Sequence, residues 1–340
     1  MGKRTVRGSR VVWQDVVIAI LSGVIIVAGI LCVARTIWSG YHFLDDHELL
    51  RMEQSFSHGM SLHDLLRAWI KNDMNQRFRP LYWIERVTGG YLMGSNLMLW
   101  NIWTAVKGIL AFALLYLSAR YVKAGRTVSL IFPMVIILGT QFTPWYRSAN
   151  QESTGLLLCA AILCLIAAQY AHGRYTSPVY NIPIVILVIL SGFAKESFTL
   201  LKLWLEYWDG CDETWLGTRR KGRLLRLVKE NLAVYLCILA AFLINIYMIL
   251  FRVGVDRISY AGFHQDTGLN QYLHGISDSL FVNMKWNTVI AGQLIFMILL
   301  CYQLVEKYNI WRYVSLCIIL FCTMGIQLVA HAKSEMWGRY

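Results

Sequence analysis

Charged residues, prolines and paired cysteines are all scarce in this sequence. Charged residues make up 15% of the 340 residues against 57% hydrophobic residues, and the mean hydropathy is +0.48. Soluble domains carry about 25% charged residues, so this balance excludes that class. The five prolines and the lack of low-complexity tracts exclude long disordered linkers. The composition therefore predicts an all-α polytopic membrane protein.

The cysteines and the net charge exclude further classes. None of the eight cysteines forms a CxxC pair, and the predicted outer loops contain none, so we expect no disulfide and no cysteine metal site. The net charge of +12 is spread between apolar segments rather than along one soluble face. Such loops set topology and contact anionic membrane lipids, so we expect no nucleic-acid partner.

The apolar segments predict the topology. About 20 apolar residues cross the roughly 30 Å hydrocarbon core, and the basic residues before the first segment place the N-terminus in the cytoplasm. We expect about nine transmembrane helices in one module, residues 1–340, located in the plasma membrane as a multi-pass protein. The predicted spans are Val16–Ala34, Leu97–Ala119, Val128–Phe142, Thr154–Ala171, Ile182–Ala194, Phe198–Trp208, Leu232–Phe251, Trp286–Val305 and Trp311–Ala330.

The first outer loop, residues 35–96, has a pattern of its own. Ser61 followed by Asp64 resembles a capping box, and apolar residues recur after it at helical spacing. This pattern predicts an amphipathic helix that lies on the membrane surface. An aromatic-rich piece follows and is broken by Gly89 and Gly90. The apolar residues of the predicted helix are Leu62, Leu65, Leu66, Trp69 and Ile70.

Two adjacent carboxylates, Asp45 and Asp46, follow the first span and are predicted to lie just outside the hydrocarbon on the extracytoplasmic face. Four further polar groups are predicted at the same face, and charged residues at span ends mark function unless they are paired or hydrated. These groups are Arg77 with Arg79, the segment from Arg147 to Glu152, Lys195 with Glu196, and Arg339 with Tyr340.

Each group also has a plainer explanation. The two aspartates can be solvated acids at a helix N-terminus, and Arg77 and Arg79 can be snorkelling membrane anchors. The lysine and glutamate pair can be a hydrated hairpin tip, and the last arginine a flanking cation. A further charge, Lys107 in the second span, is either a lysine that faces a cavity or a side chain that snorkels toward the Arg120 end, and the second interpretation is favoured.

Taken together, the groups fit sugar transfer from a polyprenyl phosphate. The acceptor hydroxyl needs a general base, which a carboxylate provides. The departing lipid phosphate gathers negative charge near a low-dielectric boundary and needs fixed cations.

The order of the motifs resembles the GT-C superfamily of polyprenyl-phosphate-sugar-dependent glycosyltransferases. These motifs are DD soon after the first span, RFRPLYW before the second, Asn101 within it, WYRSANQE before the fourth, FAKESF at a hairpin tip and GRY after a late span. The resemblance implies a helical membrane module whose first outer loop forms surface helices over a cavity. Relatives continue past the RY motif, whereas this chain stops at Tyr340, as a minimal member, a truncated product or one part of a larger enzyme would.

The resemblance also implies roles for individual residues. Adjacent helical side chains diverge by about 100°, so the two aspartates cannot do the same job. Asp45 is expected to be the base and Asp46 to orient it or the acceptor. Donor phosphate contacts are expected from Arg79, Lys195 and Arg339, with Glu196 holding Lys195. The supporting residues are Arg77, Glu196, Arg147, Glu152 and Asn101.

A cluster of acids and histidines in the first outer loop matches no closed zinc pattern. We expect no cofactor. A divalent metal is an alternative because some branches of the superfamily use one, and it is less favoured. The expected partners are membrane lipids, the lipid-linked sugar donor and a glycan, lipid or protein acceptor. The alternative functions are a transporter or lipid flippase and a non-catalytic subunit of an envelope-polysaccharide system. The clustered residues are His42, Asp45, Asp46, His47, His58 and His63.

Overall fold

The computed structural model describes residues 11–34, 46–75, 77–138, 151–173, 177–194 and 232–254. Every regular element within these ranges is helical. A π-helical stretch, Met248–Gly254, continues the last helix. The helices are α1 (Trp13–Ala34), α2 (His47–Ser57), α3 (Leu62–Asp73), α4 (Pro80–Met93), α5 (Leu97–Tyr121), α6 (Arg126–Leu138), α7 (Gln151–His172), α8 (Pro178–Ala194) and α9 (Leu232–Tyr247).

Three of these helices are long and apolar enough to cross a membrane, so the chain is a helical membrane protein. They are Trp13–Val33, Leu97–Tyr121 and Glu152–Gln169, and they coincide with the first, second and fourth predicted spans. The third, fifth and seventh predicted spans fall on the shorter apolar helices α6, α8 and α9. The remaining three, Phe198–Trp208, Trp286–Val305 and Trp311–Ala330, lie outside the described residues. The number nine therefore stays a prediction.

Helix α5 lies at the centre of the bundle and packs on α1, α6 and α7. It runs antiparallel to α1, since Asp15 at the start of α1 contacts Arg120 at the end of α5. Gly23 lets the two backbones approach closely, because a Cβ there would stand 3.2 Å from the Ile109 carbonyl oxygen. The core of this contact is apolar and includes Ala111, Phe112, Leu115, Ile137 and Ala160.

The helix directions define two ends of the bundle. Lys107 contacts Thr154 and Tyr121 contacts His172, so α5 and α7 run parallel. Helix α8 returns antiparallel to α7, and the Gln169 side chain donates to Asn181 at 2.8 Å across that hairpin. The starts of α5 and α7 and the end of α8 therefore share one end of the bundle. The opposite end holds the starts of α1, α6 and α8.

The short helices α2, α3 and α4 form a layer at the first of these ends. Phe78, just before α4, packs its ring on Phe193 near the end of α8, with ring centroids 5.8 Å apart. We call these helices the α2–α4 layer and this end of the bundle the layer end. The segment just before α4 and the end of α8 therefore meet at the layer end.

Helix α3 confirms the predicted capping box but not the predicted lipid contact. The Ser61 hydroxyl accepts the Asp64 backbone N–H at 3.1 Å, which satisfies one of the unpaired donors of the first turn. The apolar stripe packs against α4, with Trp69 stacked on Trp83 at 4.8 Å between ring centroids, and contact of α3 with the membrane surface stays a prediction. The amphipathic pattern is therefore explained by a protein neighbour.

Helix α4, rather than α3, carries an exposed apolar face. Gly89 and Gly90 do not break it, contrary to the sequence interpretation, because the helix continues from Pro80 to Met93. A Cβ at Gly89 would overlap the Trp100 ring of α5, so the glycine allows close packing. Exposed Tyr91 and Leu92 follow at the end of α4 and adjoin the exposed apolar residues at the start of α5.

Candidate functional site

Half of the predicted site residues fall within the described part of the chain. Asp46, Arg77, Arg79 and Asn101 lie in or beside the α2–α4 layer or at the start of α5, and Glu152 lies in the first turn of α7. All five therefore belong to the layer end. The other predicted site residues, Asp45, Arg147, Lys195, Glu196 and Arg339, lie outside the described residues.

Asp46 immediately precedes α2 and is 3% exposed. Its backbone is already helical, and its side chain makes no capping hydrogen bond to α2. The plainer explanation of a solvated acid at a helix N-terminus is therefore wrong for Asp46, because the residue is buried. A buried carboxylate needs polar neighbours to remain charged.

Arg79 forms a two-point ion pair with Asp73 at the end of α3. Its Nη2 donates to Asp73 Oδ1 at 2.6 Å and its Nε to Oδ2 at 3.3 Å. Its guanidinium also lies 4.8 Å from the centroid of the Tyr82 ring. Arg79, which is predicted to contact the donor phosphate, is thus already paired with a carboxylate. A phosphate would have to share the guanidinium with Asp73 or displace that carboxylate.

A second arginine, Arg86, also lies near the ring of Tyr82. Its guanidinium is 5.5 Å from the Tyr82 ring centroid, and its Nε is 3.2 Å from Glu48 Oε2 of α2. Arg86 is only 2% exposed. The sequence interpretation did not identify it. One ion pair joins α4 to α3, and the other joins α4 to α2. Each guanidinium is neutralised by a carboxylate from another helix.

A third ion pair, between Glu85 of α4 and Lys107 of α5, has a cation that is almost fully enclosed. Lys107 Nζ is 2.7 Å from Glu85 Oε1 and 3.0 Å from the Thr154 hydroxyl of α7. That hydroxyl in turn donates to Glu85 Oε2, and Trp103 Nε1 donates to Oε1 at 2.9 Å. These four side chains, which we call the Glu85 cluster, link the layer to two spans.

The electrostatics of the cluster hold Glu85 in its charged form. Burial alone would raise the pKa of Glu85, but the Lys107 ammonium and the hydrogen bonds from Lys107, Thr154 and Trp103 outweigh burial and lower it. The N-terminal turn of α7, which holds Thr154, adds the positive end of a helix dipole.

The predicted role of Lys107 as a snorkelling side chain is wrong. Its ammonium lies toward the layer end, paired with Glu85, and the residue is 1% exposed. It is thirteen residues from Arg120, roughly 20 Å along the helix. The sequence contained a usable signal for this pair, because an isolated acid and an isolated lysine in neighbouring apolar helices are costly unless they pair.

The opposite end of the bundle has its own charged group, which we call the Asp15 cluster. Asp15 Oδ1 accepts from Arg120 Nε at 3.2 Å, from Arg126 Nε at 3.3 Å and from the Tyr116 hydroxyl at 3.3 Å. Asp15 is fully buried, whereas the Arg126 side chain is 50% exposed. This cluster joins the ends of α1, α5 and α6.

Within the described ranges, no group of three or more histidine, cysteine, aspartate or glutamate side chains is placed to hold a metal ion. Each cluster has one carboxylate, Glu85 or Asp15, and a cation of the protein already binds it. The prediction that no metal is used therefore stays a prediction.

Comparison with known proteins identified no relative. No protein-family model, no curated protein and no solved structure shows significant similarity to this chain. The candidate site is therefore defined by its own geometry.

Proposed function

We propose that this chain is an integral membrane glycosyltransferase of GT-C type. It transfers a sugar from a polyprenyl-phosphate donor to an acceptor hydroxyl on the extracytoplasmic face of the plasma membrane. In this proposal the chain has nine spans and a cytoplasmic N-terminus, and the layer end faces outward.

The observation that carries the proposal is the location of the described candidate residues. Asp46, Arg77 and Arg79 lie on or beside a layer of short helices that covers one end of the spans. Glu152 of α7 and the end of α8, which leads to Lys195 and Glu196, share that end. A donor held in the outer leaflet would present its phosphate at this level, where a layer over the spans can enclose it.

The proposed reaction needs one base and several cations. The acceptor oxygen attacks the anomeric carbon while Asp45, oriented by Asp46, takes the hydroxyl proton. The bond from the anomeric carbon to the phosphate oxygen breaks, and the lipid phosphate leaves with the electron pair, so the configuration inverts. Arg79, Lys195 and Arg339 stabilise that phosphate. Since Arg79 is paired with Asp73, donor binding would draw it partly from that carboxylate.

The test is to replace each aspartate with asparagine and to follow consumption of lipid-linked sugars by mass spectrometry. Asp45→Asn is expected to lower turnover by about 100-fold or more, as loss of a general base does, and Asp46→Asn by less. Asp64→Asn is the matched control, because Asp64 carries the same side chain on the same layer but is exposed. Turnover that survives both substitutions with normal expression would refute the assignment.

A transporter or flippase is the second candidate, and the buried Glu85–Lys107 pair favours it. Polar residues within the spans are typical of transport pathways. In that case movement of a fluorescent lipid phosphate across proteoliposomes would depend on this pair and not on Asp45 or Asp46. A wild-type chain without either activity would instead indicate a non-catalytic subunit.

A further inference from the structure

A buried polar stripe on α5 continues from the Glu85 cluster toward the layer. Asn101, Thr104 and Lys107 follow at three-residue intervals, so they share one face of the helix. They are 2%, 1% and 1% exposed. Because each lies in an otherwise apolar helix, each polar group needs a hydrogen-bond partner.

Two side chains on this stripe have hydrogen-bonding capacity beyond the partners that the described residues supply. Among the residues that the structure describes, no hydrogen-bond partner lies near Thr104 Oγ1. A buried helical threonine commonly bonds a carbonyl of the preceding turn, and this one does not. One helical turn away, two of the three N–H groups of Lys107 are accounted for by Glu85 and Thr154. The stripe therefore offers a hydroxyl and an ammonium N–H to an oxygen acceptor.

The charge of the cluster selects the kind of acceptor. Lys107 is neutralised by Glu85, whose two oxygens are both occupied by hydrogen bonds. A phosphate placed here would face the Glu85 carboxylate without a surplus positive charge, which is unfavourable in a low-dielectric region. An uncharged oxygen, such as a sugar hydroxyl, needs only the donors. A half-exposed indole, Trp103, lies beside the Lys107 ammonium, whose Nζ is 5.8 Å from the ring centroid.

We propose that the Thr104 hydroxyl and the Lys107 ammonium bind the uncharged sugar of the lipid-linked substrate, separately from its phosphate. This inference rests on the proposed function. It makes the junction of α4, α5 and α7 a specificity-determining subsite, while the arginines beside Tyr82 belong to the charged part of the site. Glu85 and Thr154 act as positioning residues, because they hold the Lys107 ammonium in place.

The test compares two probes on the full-length protein in lipid nanodiscs by native mass spectrometry. The probes are undecaprenyl phosphate and undecaprenyl phosphate carrying glucose, galactose, mannose or arabinose. Thr104→Val removes the hydroxyl at nearly constant shape. It is expected to weaken the preferred glycosylated lipid about fivefold, the loss of one hydrogen bond. Binding of the bare lipid phosphate and thermal stability are expected to stay unchanged. Thr104→Ser keeps the hydroxyl and is expected to restore wild-type binding.

Each other outcome has a definite meaning. If Thr104→Val weakened the binding of both lipids equally, Thr104 would have a structural role. If it weakened the binding of neither lipid, only a water molecule would occupy the site. Either result overturns the inference while leaving the proposed function standing. If the wild-type chain neither prefers a glycosylated lipid nor consumes one, the proposed function fails and the subsite fails with it.

Discussion

The Asp15 and Glu85 clusters each bind a carboxylate from another helix to the central helix α5, through Arg120 and Lys107, which lie roughly 20 Å apart along that helix. The two carboxylates are bound differently. Asp15 is held by two guanidiniums, and one of them, from Arg126, is half exposed. Glu85 is held by one ammonium, from Lys107, which has almost no exposure. The first cluster carries a surplus positive charge that reaches the surface. The second is neutral, and its cation is enclosed while the Glu85 side chain is 20% exposed.

The difference in net charge and exposure indicates a different role for each cluster. The Asp15 cluster joins the ends of α1, α5 and α6. Its arginine side chains can be hydrated if the Asp15 carboxylate is removed. The Glu85 cluster joins α4 to the interior of α5 and α7, and its Lys107 ammonium is not exposed to water. Enclosed ion pairs are weak evidence for stability but costly to break. A neutral, largely enclosed network with hydrogen-bonding capacity beyond the partners that the described residues supply is better suited to binding a substrate than to fastening helices.

The largest expected effect follows from removing the cation of the enclosed cluster. Lys107→Met leaves the mostly buried Glu85 carboxylate without its cation, and the expected loss in the free energy of unfolding is about 3–5 kcal/mol. The measurement is chemical unfolding in detergent micelles followed by tryptophan fluorescence. Glu85→Gln combined with Lys107→Met is the control, because it removes both charges and is expected to recover most of the loss. A double variant as unstable as Lys107→Met would show that packing of the lysine stem, not charge, is responsible.

A smaller effect is expected at the other cluster. Asp15→Asn removes the charge shared by Arg120 and Arg126, but at least one of these side chains already reaches solvent. The expected loss is about 2 kcal/mol, the range for hydrogen bonds to charged groups. Asp64→Asn, on an exposed carboxylate that accepts the Ser61 hydroxyl, is expected to lower stability by less than Asp15→Asn in the same assay. A loss at Asp15 that matches or exceeds that of Lys107→Met would contradict the distinction between the two clusters.

Local features of the fold were predictable because local sequence determines them. The apolar runs that became α1, α5 and α7 are long enough to identify by composition alone, and Ser61 with Asp64 marks the start of α3. The packing of α3 on α4 was not predictable, because an apolar stripe has the same pattern whether lipid or another helix covers it. Gly89 was misinterpreted because its partner, Trp100, belongs to another helix.

The candidate site was only partly predictable, since its contacts join distant parts of the chain. Lys107 is 22 residues from Glu85 and 47 from Thr154. Charge scarcity in apolar helices marks such residues as candidates, but helix directions decide which of them meet. Arg79 was identified by its motif, whereas its pairing with Asp73 required the turn between α3 and α4.

The smallest expected effect concerns pH and tests whether Lys107 or burial dominates at Glu85. Because the pKa of Glu85 is lowered in the folded protein, the unfolded chain binds the proton more readily. The stabilisation is then fully present above the unfolded pKa and is lost as pH falls through the folded pKa. We expect the difference in unfolding free energy between wild type and Glu85→Gln to be constant from about pH 7 to 5.5 and to shrink below about pH 4.5. If the difference already shrank between pH 7 and 5.5, burial would outweigh the ammonium, Glu85 would be partly protonated, and the cluster would no longer be the neutral ion pair that selects an uncharged ligand.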